Sequence, residues 1–282
     1  MLWLVTGCSS GLGLSLANAI LDAGHQCIAS SRNPSKTPEI VSNFEKKGGK
    51  WITLDISKPD VEEVIAKAVA DHGAIDVLVN NAGYPVVGPL ENQPLKDARD
   101  LFETNFFGYI RTIQAVAPSM RERKSGTVVN IGSSEAWQTN PLLSIYSASK
   151  WALEGLTETM AAELGVFGIR TLIVEPDAIR TEFANLESQD VPGFLTRMEA
   201  YKGTFIEHVS QFLMTMHGTQ AIDAAKAAKA IVAEVTTPSS DPPLLRLPLG
   251  KESTKKLKAK AEMYASIATA TEGVAASVDF DA

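Results

Sequence analysis

The chain has 282 residues, 45% hydrophobic and 21% charged, which fits a globular protein with length to bury a core and excludes a disordered or fibrous one. A net charge of −7 opposes nonspecific binding to nucleic acid or an anionic membrane, no run approaches the ~20 apolar residues of a bilayer crossing, and the opening MLWLVTGCSS is too short and uncharged for a signal peptide, so a cytoplasmic protein is expected. The two cysteines, Cys8 and Cys27, and the four histidines, His25, His72, His208 and His217, lack the spacing of a disulfide framework or zinc site, so no metal is expected.

Short apolar runs at 2–5, 26–29, 51–54, 76–79, 127–131, 171–174 and 244–247 predict seven strands. Between them, helical periodicity spans 12–23, 59–72, 97–122, 144–165 and 220–235, several of these segments stopping at or near a glycine. The alternation predicts an α/β fold, a Rossmann-type doubly wound parallel sheet in a single domain over 1–250. The rhythm breaks over 181–218, where Phe183, Phe194, Met198, Tyr201, Phe205, Phe212, Met214 and Met216 lie among polar residues. That insertion reads either as a lid over the strand ends or as the core side of two extra helices. The segment 251–282 is expected to be a C-terminal helix, its basic run 251–260 a solvated face, with a frayed tail from about Thr271.

Directly after the first strand stands Thr6-Gly7-Cys8-Ser9-Ser10-Gly11-Leu12-Gly13, with a helix beginning at once. Glycines let backbone approach a pyrophosphate closely, the unpaired N–H groups at a helix N-terminus face an anion, and Ser9 and Ser10 can add hydroxyl donors. A purely structural turn is the alternative. About twenty residues on, where an enzyme for NAD places an acid on the adenosine ribose, the sequence reads Ser30-Ser31-Arg32-Asn33 with no carboxylate. Arg32, joined by Lys36, can pair with a 2′-phosphate, so NADP(H) is the expected cofactor; a loop arginine in water is the alternative.

Tyr146 and Lys150 lie four positions apart near the start of a predicted helix and so share a face. A phenol with a pKa near ~10 needs its anion stabilised to exchange protons at neutral pH, and the neighbouring ammonium is expected to supply that. Ser133, or its competitor Ser134, follows an apolar strand and can hold a substrate oxygen, while Asn105, inside a helical run, suggests a kink or a bound water.

Together these motifs resemble the short-chain dehydrogenase/reductase family over residues 2–249: the glycine turn, Asn80-Asn81-Ala82-Gly83 after the fourth strand, and the set Asn105, Ser133, Tyr146 and Lys150. The family's thirteen-residue interval before the tyrosine selects Ser133. The resemblance implies that Tyr146 gives or takes the proton, Ser133 orients the carbonyl, Lys150 also binds the nicotinamide ribose, and Asn105 supports a water relay. It places Asp55 at the adenine, Asn81, Ala82 and Gly83 on the adenosine side, and Pro176, Ile179 and Thr181 at the carboxamide. The family usually has glycine where this chain has Asp177, which is expected to turn outward, the alternative being an unusual carboxylate near the reacting carbon.

Tyr84, Trp137 and Leu142, with Ser133, Tyr146 and the insertion's aromatics, would then line an apolar pocket for a polyketide-, terpenoid-, steroid- or retinoid-like molecule, as in secondary metabolism. Glu135 is expected to be exposed. Reduction of a ketone or aldehyde is expected, because NADPH serves mainly as a reductant. Rival readings are a non-redox isomerase, dehydratase or cyclase that keeps NADP(H) as a scaffold, and a dinucleotide-sensing binding protein without chemistry. The helices at 97–122 and 144–165 could pair copies into a homodimer or homotetramer.

Overall fold

The computed structural model describes residues 1–184, 194 and 196–280. Seven parallel strands form one sheet in the order β3-β2-β1-β4-β5-β6-β7. They are β1 (Leu2–Val5), β2 (Gln26–Ser31), β3 (Lys50–Thr53), β4 (Val77–Asn80), β5 (Gly126–Ile131), β6 (Ile169–Pro176) and β7 (Arg246–Leu249). The strands β1 and β4 are buried throughout, as runs like LWLV and VLVN must be when helices cover both faces.

On one face, α1 (Gly11–Asp22) and α8 (Ala224–Thr236) pack Leu16, Ile20, Ile231 and Val232 against Trp3, Val5, Val79 and Leu172. On the other, α3 (Val61–His72), α5 (Gly108–Arg123) and α6 (Ser144–Gly165) pack Ile65, Tyr109, Ile113 and Leu153 against Leu4, Leu78, Val128 and Ile173. Strand order reverses beside β1, so the crevice at the carboxyl ends of β1 and β4 is the place where such sheets take ligands.

Four local expectations change. The segment 97–122 is not one α-helix: α4 (Leu95–Phe102) passes into a π-turn, Glu103–Phe107, before α5, and Asn105 is on that turn. A short helix α2 (Pro38–Lys46) went unpredicted because its nine residues, amphipathic as they are, fall short of the window over which helical periodicity is read. The helix expected over 220–235 starts at Ala224, since Asp223 accepts the Lys226 N–H at 2.8 Å and caps it. The last helix, α9 (Lys251–Ala276), runs past Thr271, where alanines sustain it.

In the 181–218 segment, Phe194, Met198 and Leu213, the last on α7 (Phe205–Thr215), pack against Val87 and Leu142 in a separate apolar cluster. Phe205 and Phe212 stay exposed. Residues 185–193 and 195 of that segment lie outside the described residues. Among the described residues no helix is long and apolar enough to cross a membrane, and no group of metal-ligating side chains forms.

Candidate active site

The glycine turn leaves β1 under strict geometric demands. Gly7 has φ +73°, and a Cβ there would lie 2.7 Å from Ala82 Cα; a Cβ on Gly13 would lie 2.3 Å from the Gly7 carbonyl oxygen. The turn is fastened from β4: Thr6 Oγ1 accepts the N–H groups of Asn81 and Ala82 at 2.9 and 3.0 Å, and Asn81 Nδ2 donates to Thr6 O at 2.9 Å. Thus Asn81 and Ala82 shape the cradle from beneath. Ser10 caps α1 without a side-chain hydrogen bond. A cradle closed to any Cβ, with the first turn of α1 uncapped beyond it, fits a pyrophosphate. Leu12 is buried, Ser9 half-buried and Ser10 exposed.

Thr181 closes the crevice from the other side, its Cβ 3.3 Å from where a Cβ on Gly11 would stand; Ile179 pairs with Ile222, and Pro176 ends β6. Arg32 directly follows β2 and is exposed. Asp55 Oδ1 accepts the N–H and hydroxyl of Ser57, which fixes its carboxylate just beyond β3.

Asn105 is fully buried and acts as a clamp: Oδ1 accepts the Tyr84 N–H at 3.1 Å, and Nδ2 donates to Tyr84 O at 3.0 Å. A Cβ on Gly83 would lie 3.0 Å from that Oδ1. The π-turn therefore aims the amide at the loop after β4. Tyr84, expected at the substrate pocket, is half-buried, and burial pushes its phenol up, with Asp100 adding to the rise and Arg32 and Thr104 opposing it.

On the opposite wall, Tyr146 and Lys150 lie buried on α6. Ser133 lies beside the Tyr146 phenol, close enough to oppose the rise in its pKa, and accepts the Glu135 N–H at 3.2 Å. Lys150 Nζ donates to Ile131 O at 2.8 Å and lies 5.7 Å from the Tyr146 ring centre and 5.6 Å from that of Tyr109, a buried tyrosine that sequence reasoning missed. Burial pushes Lys150 down to about 7, opposed by Glu154 one turn on, and pushes the Tyr146 phenol above its ordinary range, opposed by Ser133. This reverses the sign expected from the lysine, because desolvation outweighs a cation bonded to a backbone carbonyl.

Trp137 and Leu142 are buried in the loop before α6, where Leu142 holds a strained φ of +71° and its carbonyl accepts the Gly88 N–H at 2.8 Å. Phe183 lays its ring edge-on to Tyr146 with centres 5.9 Å apart.

Residues 2–192 match the family described as short chain dehydrogenase. The chain belongs to the short-chain dehydrogenase family. Oxidoreductase claN of Passalora fulva is 43% identical over 74% of this chain and 94% of its own length. Human retinol dehydrogenase 8 is 34% identical over 86% of this chain and 79% of its own. A short-chain dehydrogenase from Streptomyces avermitilis superposes with TM-score 0.83 at 35% identity, covering 99% of both chains. A gluconate 5-dehydrogenase from Burkholderia cenocepacia in complex with NADP and tartrate does so with TM-score 0.73 at 26% identity, over 90% of this chain and 95% of that one. This protein is thus an oxidoreductase of that family.

In this short-chain dehydrogenase, Asp177 does not turn out into solvent. Its Oδ1 accepts the Ser134 hydroxyl at 3.0 Å and Lys256 Nζ at 2.8 Å. Ser134 is thereby engaged away from Tyr146, leaving Ser133 there. Glu135 is not exposed either: its side chain is 12% accessible, takes the Asn140 N–H at 3.1 Å and lies 3.8 Å from Lys256 Nζ. Nor is Lys256 a solvated cation like Lys251, Lys255 and Lys258, because the Asp177 and Glu135 carboxylates draw it inward. Both thiols are buried and pushed up by desolvation, Cys8 to about 12, so they are poor nucleophiles.

Proposed function

We propose that this enzyme reduces a ketone or aldehyde on a small apolar molecule with NADPH, Tyr146 supplying the proton. The observation that carries this reading is a buried tyrosine, beside Ser133 and one helical turn from Lys150, on the wall of a crevice whose floor is a glycine cradle. Bound with its pyrophosphate on the turn from Gly7 to Gly13, the cofactor would supply a hydride to the carbonyl carbon.

The chain's own residues do the rest. Ser133 and Tyr146 together hold the carbonyl oxygen, and the phenolic proton moves to that oxygen as negative charge develops on it. A phenol kept protonated by burial suits donation, and so suits the reductive direction. Lys150, its Nζ 5.7 Å from the Tyr146 ring centre and bonded to Ile131 O, would offer its remaining N–H groups to a ribose. Asn105 holds the Tyr84 backbone, and so the wall of the cofactor crevice, in place. Arg32 is available to a 2′-phosphate, the basis for choosing NADP(H) over NAD(H). Phe183 gives Tyr146 an apolar neighbour while itself staying exposed, Trp137 and Leu142 are buried in the loop before α6, and Met198 and Leu213 pack against Leu142 as a lid would.

A non-redox reaction would draw on Asp177 as an acid or base, but its carboxylate is engaged by Lys256 and Ser134, which favours simple carbonyl reduction. The test is a screen of apolar ketones and aldehydes with NADPH and with NADH, following nicotinamide absorbance and products together. Coupled loss of absorbance and appearance of an alcohol supports the reading. Substrate consumption at constant absorbance overturns it.

A further inference from the structure

Helix α9 reaches the reacting end of the sheet through one side chain. Lys256 Nζ lies 2.8 Å from Asp177 Oδ1, 3.2 Å from Ser134 Oγ and 3.8 Å from Glu135 Oε1. Each partner adjoins a residue of the site: Ser134 and Glu135 follow Ser133 at the end of β5, and Asp177 follows Pro176 at the end of β6. The start of the helix is fastened to the same place, since Ser253 Oγ donates to Glu175 O at 2.7 Å, and the Asp177 N–H donates to Leu249 O at 3.0 Å.

We propose that Lys256 is a positioning residue for carbonyl reduction, holding the end of β5 and the loop 176–181 in register so that α9 is part of the active site. The proposal rests on the function proposed above. Two carboxylates converge on this one ammonium, and the Ser134 hydroxyl is shared between the ammonium and Asp177. Without the cation, Asp177 and Glu135 lose the partner they share, and like charges left without one separate. Separation moves Asp177, hence Pro176 and the Ile179–Thr181 wall, and moves Ser134, hence Ser133. Asp177 and the lysine 79 residues later are thus two halves of one device.

The full-length protein, Lys256→Met, Lys256→Arg and the double variant Lys256→Met with Asp177→Gly decide the matter. Hydrogen–deuterium exchange at 133–137 and 176–181 reads positioning without any turnover. Lys256→Met is expected to raise exchange in both segments about fivefold and to lower kcat for NADPH-dependent reduction at least tenfold, with the substrate KM changed less than threefold. Lys256→Arg restores both readouts. So does Asp177→Gly in the Met background, because the acid left unpaired is gone while Glu135 keeps its Asn140 donors. Unchanged exchange in the two segments, faster exchange confined to α9, or losses that add rather than cancel in the double variant would each overturn the proposal. If the wild-type protein reduces no carbonyl compound, the function proposed above fails, and the exchange data still judge Lys256.

Discussion

At the scale of single residues, desolvation decides the protonation states. The Tyr146 phenol is held above its ordinary range, so it carries its proton throughout neutral pH. On the proposed mechanism, the phenol itself costs reduction no rate until alkali, and a change near pH 7 reports the Lys150 ammonium. Oxidation of the corresponding alcohol, which needs the phenolate, climbs as pH rises toward that range; steady-state rates in both directions from pH 6 to 10 check the sign. Tyr146→Phe keeps the ring packed against Phe183 but has no proton to give, so kcat should fall about 10²–10⁴-fold. NADPH binding, measured by fluorescence titration, should stay within threefold of wild type. At Arg32, a charge-assisted bond to a phosphate is worth about 1.5–3 kcal/mol. Arg32→Ala is accordingly expected to raise the KM for NADPH ten- to a hundredfold and leave that for NADH nearly unchanged. Equal changes for the two cofactors would return Arg32 to the role of a solvated loop residue.

Elements matter where one forces the geometry of another. The cradle exists because α1 starts so close to β1 that no side chain fits between them. A Gly13→Ala methyl would meet the Gly7 carbonyl oxygen, a backbone atom that cannot rotate away, so the turn itself must open. Overpacking of this kind costs about 1–3 kcal/mol, and here it also distorts the anion site. NADPH affinity should fall more than tenfold in titration, with a lowered thermal midpoint; unimpaired binding would show that the turn has slack. The elements were mostly legible in the sequence, since buried parallel strands leave long apolar runs and the glycine turn marks where the first helix begins. The break at Asn105 was legible only as a polar residue on an apolar stretch, because a π-turn inserts one residue without altering composition. The clamp of Asp177, Glu135 and Lys256 was illegible: its members are ordinary charges separately, and only the fold brings α9 back onto the end of β6.

Over the whole molecule, the seventh strand is tied to the body by a buried charge cluster behind the site. Arg246 of β7 contacts Glu175 of β6 and both Glu154 and Glu158 of α6; Glu154 and Glu175 are buried, Glu158 exposed. One guanidinium cannot neutralise two buried carboxylates that also face each other, so burial and mutual repulsion push Glu175 well above the usual carboxylate range, and one proton stays with the pair. The sign follows by linkage. A raised folded-state pKa means that the folded chain binds more protons than the unfolded one, so this contribution to stability is full below the unfolded value and drains away as pH rises toward the folded value. The drain is at most about 1.4 kcal/mol per pH unit for one proton. Lys150, depressed to about 7, works oppositely but chiefly above pH 7, and the contributions of Glu135, pushed up by burial, and His25, pushed down by it, cancel when a variant of the pair is compared with wild type. Glu175→Gln supplies a permanent neutral partner there. Urea unfolding at pH 5, 6 and 7 should show the variant gaining on wild type with each step. Parallel curves would mean that both carboxylates are ionised in the folded protein and that Arg246 alone carries the cluster.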